Sequence, residues 1–210
     1  MDAAAIEAFL AAFITLFVIV DPPGIAPVFA SLTSGTPQSH KRKMAIRGSV
    51  VATVLLLFFA FAGDPFLKAL GISLDALRIA GGILLFVIGF EMVMEKRAER
   101  KQDTAEQLDE FFDDISVFPI AIPLIAGPGS IATIILLMTQ YEGDIISQAA
   151  VLAGLGLTML ITLGTFLIAG PIMHVLGPTV TTVITRVLGI IVAALATQFV
   201  LDGLKGYFFA

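Results

Sequence analysis

The chain contains no cysteine, and that absence removes disulfides, thiolate metal sites and cysteine nucleophiles together. Histidine is nearly absent too. His40 and His174 have no second histidine at ligand spacing, which argues against a metal site. Charge is sparse, at 14% of residues against 58% apolar, and the mean hydropathy of +0.99 is far above that of a soluble 210-residue domain. The sequence has no G-x-x-x-x-G-K-[ST] loop to hold nucleotide phosphates, and no basic patch of the kind that tracks nucleic acid. No cofactor and no nucleic-acid partner is expected. The net charge of -5 is local, because Glu95 to Asp114 holds eight acids against four bases. The start, "MDAAAIEAF", lacks a basic region, so the first apolar run is expected to be a retained helix rather than a cleaved signal peptide.

What the chain does have is long apolar runs. Crossing about 30 Å of hydrocarbon takes roughly 20 helical residues, and six runs qualify: Ala8 to Leu32, Met44 to Ala62, Leu74 to Met94, Ser116 to Thr139, Ile145 to Ala169 and Val183 to Leu201. Inside a bilayer every backbone group must be satisfied within the protein, and these runs are too long and too uniformly apolar for barrel strands. The expected fold is therefore an all-α polytopic membrane protein, one domain over residues 1–210. Lys41, Arg42, Lys43 and Arg47 lie in the first connection and Lys96, Arg97, Arg100 and Lys101 in the third, whereas the other side has at most Lys68, Arg78 and Lys205. By the positive-inside rule, connections 33–47 and 95–115 are expected in the cytoplasm and both termini outside the cell (inner) membrane. Within the third connection Leu108, Phe111, Phe112 and Ile115 fall at helical spacing. An amphipathic surface helix and a solvated linker both fit that pattern.

The stretch "VIVDPPGIAPVFASLT", Val18 to Thr33, places an aspartate, two prolines and a glycine inside an apolar run. Pro23 and Gly24 recur as Pro128 and Gly129 in "AIPLIAGPGSIATIILLMT", and Arg78 and Gly81 recur as Arg186 and Gly189. Three helices per half is an odd number, so the second half would enter the membrane upside down, as in the inverted-repeat plan of secondary transporters. The expected division is repeat one over 1–94, a polar connection 95–115 and repeat two over 116–210, with helices 1 and 4 broken at Pro-Gly. Counted from Glu7 and Asp114, the last flanking charges, both breaks lie roughly 18 to 21 Å along their helices at about 1.5 Å per residue. That depth is near the middle of a bilayer.

Proline removes an amide and glycine lets the chain turn. The half-helices that follow are then expected to point free amides and the positive ends of their dipoles inward, at a site built from Asp21, Pro23, Gly24, Ile25, Gly127, Pro128, Gly129 and Ser130. Such a site suits a carboxylate. Asp21, whose counterpart at this alignment is Ala126, either caps its half-helix alone or also contacts a substrate ammonium or coupling cation. Gln198, inside helix six, is a further candidate lining residue, with interhelical or same-helix hydrogen bonding as its alternative. Arg78 and Arg186 either snorkel to the interface or act as gating and pairing residues with Asp75 or Asp21.

"DPPGIAPVFASLT", "VFPIAIPLIAGPGSIATIILL" and "RVLGIIVAALATQFVLDGL" resemble the MarC family of integral membrane proteins, a branch of the broader LysE-like exporter group, over essentially the whole chain. Family members usually carry an asparagine where this chain has Ile25. Some members are described as small neutral amino acid transporters, so the resemblance implies transport. The expected function is a secondary transporter, an exporter of small zwitterionic solutes, driven by a proton or sodium gradient and not an enzyme. An ion or solute channel, an assembly factor and an intramembrane hydrolase using Asp21 are the alternatives. The expected partners are the lipid bilayer, a small-molecule substrate and the coupling ion, with a homo-oligomer left open.

Overall fold

The computed structural model describes residues 3–96 and 116–209, with backbone alone for 170–179. Among these residues the chain is helical and has no strand: α1 (Ala3–Val20), α2 (Pro22–Leu32), α3 (Gln38–Ala69), α4 (Leu74–Val93), an irregular segment Ser116–Ile125, α5 (Pro128–Gln140), α6 (Ile145–Leu167) and α7 (Ala169–Phe209). Five stretches are long and apolar enough to cross a membrane, with α1 and α2 counting as one, and a sixth results if Ser116–Ile125 and α5, bent by 58°, form one span. The chain is a multi-pass helical membrane protein. The reading of residues 97–115 as an amphipathic helix or a linker lies outside the described residues.

Two elements differ from expectation. The fourth span was expected to be helical up to its Pro-Gly break, but Phe118 (φ -120, ψ 125) and Ile122 (φ -128, ψ 124) are extended. Each precedes a proline, Pro119 and Pro123, whose ring disfavours helical geometry in the residue before it. This irregular backbone stays inside protein, since Ser116, Ile120, Ala121 and Ile125 are buried, as irregular backbone at membrane depth must. The sixth helix starts at Ala169 instead of near Val183, directly after the Ile168 cap of α6. Hydropathy set the expected start at the most apolar run, whereas the helix itself begins earlier, with Pro171 in its first turn, where a missing amide costs little.

Glycines set how the spans pack. Along α4, Gly82 faces Ala196 and Val200 of α7, and Gly89 faces Gly189 and Ala193. Near the start of α4, Asp75 and Arg78 face Gly203. Positions rise along one helix as they fall along the other, so α4 and α7 are antiparallel. α6 lies on α1, with Gly154 against the backbone of Phe9 and Phe13. α3 lies on the fourth span, with Gly48 against Ser116 and Ile120 and Gly63 against Ile135. Exchanging the first three spans for the last three turns the α1–α6 pair into the pairing of the fourth span with α3. The same exchange maps α4–α7 onto itself. An inverted relation requires that self-paired couple to be antiparallel, and it is. The largest core surrounds both breaks and includes Leu16, Val20, Ile25, Ile120, Ile125 and Ala126, while Phe58, Phe61, Phe86, Leu160 and Ile190 face outward.

Candidate binding site at two chain breaks

Asp21 joins α1 to α2, and its backbone serves both helices. Its amide donates to the Phe17 carbonyl (2.9 Å), closing α1, and its carbonyl accepts from Ile25 (3.1 Å), opening α2. Pro22 disfavours right-handed helical geometry at Asp21, which takes the left-handed conformation instead (φ 57, ψ 63). Aspartate tolerates that region better than most residues, because its short polar side chain bonds locally. Here the Oδ1 atom accepts from the Gly24 amide at 3.1 Å. A Cβ added at Gly24 would collide with that carboxylate, so only glycine lets the cap close.

This geometry corrects one expectation. Four amides at a helix start lack an intrahelical partner, and α2 was expected to offer some of them to a ligand. Pro22 and Pro23 have none, Gly24 donates to the Asp21 side chain and Ile25 to the Asp21 carbonyl. The start of α2 is therefore closed to an anion, and what it presents is a carboxylate.

The second break is the opposite. Gly127 caps α5 with extended backbone (φ -85, ψ 173) and no side-chain bond. Pro128 lacks an amide, the Ile131 amide donates to the Gly127 carbonyl at 3.0 Å, and the Ser130 hydroxyl donates backward to the Ile125 carbonyl at 2.9 Å. Among the described residues, nothing accepts from the Gly129 and Ser130 amides. One turn further on, Thr133 is fully buried with its hydroxyl unpartnered. Sequence reasoning did not single out Thr133; its spacing of three from Ser130 was the available signal. The cap register also shifts. The residue matching Asp21 is Gly127, not Ala126, because α2 carries two prolines before its glycine and α5 carries one.

The breaks adjoin. A Cβ at Gly129 would meet Ile19 at 3.5 Å, two residues before Asp21, with Leu85 and Ile88 of α4 at 3.1 and 3.0 Å, and Val28 packs on Leu124. Asp21 is 1% exposed and Ser130 3%. Gly24, Ile25 and Gly129 are buried, Pro23 and Gly127 half-buried, and Pro128 is exposed. Ile25, where the family resemblance leads one to expect asparagine, is an apolar core residue. The other candidates lie elsewhere. Gln198 is exposed and donates to Asp202 at 2.8 Å along α7. Arg78 pairs with Asp75 at 3.0 Å. Arg186 pairs instead with Glu95 at 2.6 Å, on a half-exposed surface.

Chemically the site is polarised. One break carries a buried carboxylate; the other carries amides and a helix dipole without a counter-charge.

A family model described as MarC family integral membrane protein matches residues 6–208. The chain is 36% identical over 198 residues to a UPF0056 membrane protein of Archaeoglobus fulgidus, covering 93% of this chain and 92% of that protein. It is 37% identical over 197 residues to the UPF0056 membrane protein YhcE of Escherichia coli (93% and 91%), and 35% identical over 198 residues to YvbG of Bacillus subtilis (93% of each). No solved structure matches it.

Proposed function

Because the chain belongs to the MarC family of integral membrane proteins, we propose that it is a secondary transporter, exporting small zwitterionic solutes such as neutral amino acids by alternating access around the two breaks. The observation that carries this reading is the pairing of a carboxylate-capped helix start at Asp21 with an uncapped one at Gly129 and Ser130. A substrate carboxylate accepts from the two α5 amides, each charge-assisted bond worth about 1.5–3 kcal/mol. Its ammonium approaches Asp21. Both groups are buried, so on this reading the described arrangement is a closed state and transport requires one set of spans to move against the other. A proton or sodium gradient supplies the drive, the protein being a carrier and not an enzyme, set in the cell inner membrane with both termini outside.

The test is flux in liposomes containing purified protein, using labelled neutral amino acids, the matching carboxylic acids without the amine and the matching amines without the carboxylate. Gradient-stimulated movement of the zwitterions alone is expected. Equal movement of the deaminated acids would remove the role of Asp21, and movement of none would reject the reading.

A further inference from the structure

A second polar feature lies away from the breaks, where the end of α2, the start of α3 and the α6–α7 junction meet around a cavity of about 160 Å³. Ser34, Gln38, Lys41 and Arg42 form its polar wall. Gln38, Lys41 and Arg42 stand at i, i+3 and i+4 on one face of α3 and so point the same way. The floor is apolar, built by Phe29 and Phe166, whose rings stack at 4.5 Å. Among the described residues neither Lys41 nor Arg42 has an acidic partner, and α3 has no acid in its first turn. Two neighbouring cations without an acidic partner leave this wall positively charged, and a bound anion compensates that charge. The opposite face of α3 carries His40, Lys43 and Arg47 around a recess of only about 40 Å³. Basic charge alone therefore does not define the larger cavity.

We propose that this cavity binds a phosphate group, carried by an anionic phospholipid headgroup or free in solution. Lys41 and Arg42 supply charge-assisted donors, and the Arg42 guanidinium suits the bidentate geometry of phosphate oxygens. Ser34 and Gln38 complete the polar wall, and the cavity is far larger than a single water needs. The inference is independent of the transport reading, because no residue of either break contributes.

The experiment uses the full chain in detergent. Native mass spectrometry follows phosphatidylglycerol binding, and thermal unfolding follows inorganic phosphate. The variants are Lys41→Gln/Arg42→Gln and, as a control with the same charge loss outside the cavity, Lys43→Gln/Lys96→Gln. Wild type and control are expected to bind alike, and the cavity variant to bind more weakly by about tenfold or more, the loss of at least one charge-assisted bond. Retention of phosphatidylglycerol assigns the source to lipid; thermal protection by phosphate alone assigns it to solution. Equal weakening in both variants, no weakening in the cavity variant, or no binding of either ligand to wild type overturns the proposal. Arg42 is exposed, so Arg42→Gln alone gives the same reading should the double variant not remain monodisperse.

Discussion

At the scale of single residues, Asp21 and Gly24 form one device. The left-handed conformation costs most residues about 1–2 kcal/mol, and a side-chain cap returns about 0.5–2 kcal/mol, so the cap offsets the strain of the turn. Gly24→Ala places a Cβ on the Asp21 carboxylate and drives it off the Gly24 amide. The expected result is a melting temperature lowered by the loss of the cap, with impaired flux; an unchanged melting temperature would mean that the carboxylate has another place to go. Asp144 is a simpler cap outside the spans. Its carboxyl is held below its ordinary value, first by the Ser147 hydroxyl at 2.6 Å and then by the Ser147 amide at 3.2 Å. A lowered folded pKa means stability present above the ordinary carboxylate range and lost as pH falls through the folded value. The melting-temperature gap between wild type and Asp144→Ala is therefore expected to narrow from pH 7 to strongly acid solution, and a gap that widens on acidification would contradict the cap.

At the scale of elements, glycine decides the sign of a substitution. Gly89 sits where a Cβ would lie 2.8 Å from backbone atoms of Ala193 and Gly189, and backbone cannot step aside. Overpacking of that kind costs about 1–3 kcal/mol, more than the roughly 1 kcal/mol that alanine gains over glycine in a helix. Gly156 and Gly164 meet nothing within 4 Å. Gly89→Ala is thus expected to destabilise the protein and Gly156→Ala to stabilise it, read by thermal unfolding in detergent; the same sign for both would refute the α4–α7 seam. The breaks themselves were legible in the sequence, because proline acts on its immediate neighbours. Asp21 before Pro22 and Gly127 before Pro128 both became helix caps. The same rule applied to Pro119 and Pro123 marks the extended residues Phe118 and Ile122, which hydropathy alone passed over. Less legible was which helix start stays open. That depends on the Asp21 side chain folding back onto Gly24, and on nothing comparable happening at Gly127. Gln198 was legible another way, since Asp202 stands four residues on and takes its amide. The cavity beside Lys41 and Arg42 was not, for its floor includes Phe166 from a distant span.

At the scale of the whole molecule, the pairing of the first three spans is mirrored in that of the last three around an antiparallel α4–α7 pair, while the chemistry of the two breaks is unequal. Orientation has its own test. Cysteines placed at Gln38 and Glu142, both exposed, in this cysteine-free chain should report opposite sides: an impermeant thiol reagent on intact cells is expected to label Glu142→Cys and spare Gln38→Cys. Labelling of Gln38→Cys alone would invert the protein. The unequal breaks bear on transport through charge, and charge can be removed while the cap is kept. Asp21→Asn retains a side-chain oxygen able to accept from Gly24, so folding and melting temperature are expected to change little. What it lacks is the negative charge that meets an ammonium or exchanges a coupling ion. The deciding measurement is the initial, gradient-driven flux of a labelled neutral amino acid in liposomes, with matched amounts of monodisperse wild type and Asp21→Asn across pH 5 to 8. Flux that collapses by about tenfold or more, in the range of one lost charge-assisted contact, with an unchanged melting temperature is the predicted result; wild-type flux in Asp21→Asn would leave the aspartate as a helix cap and contradict the proposed site.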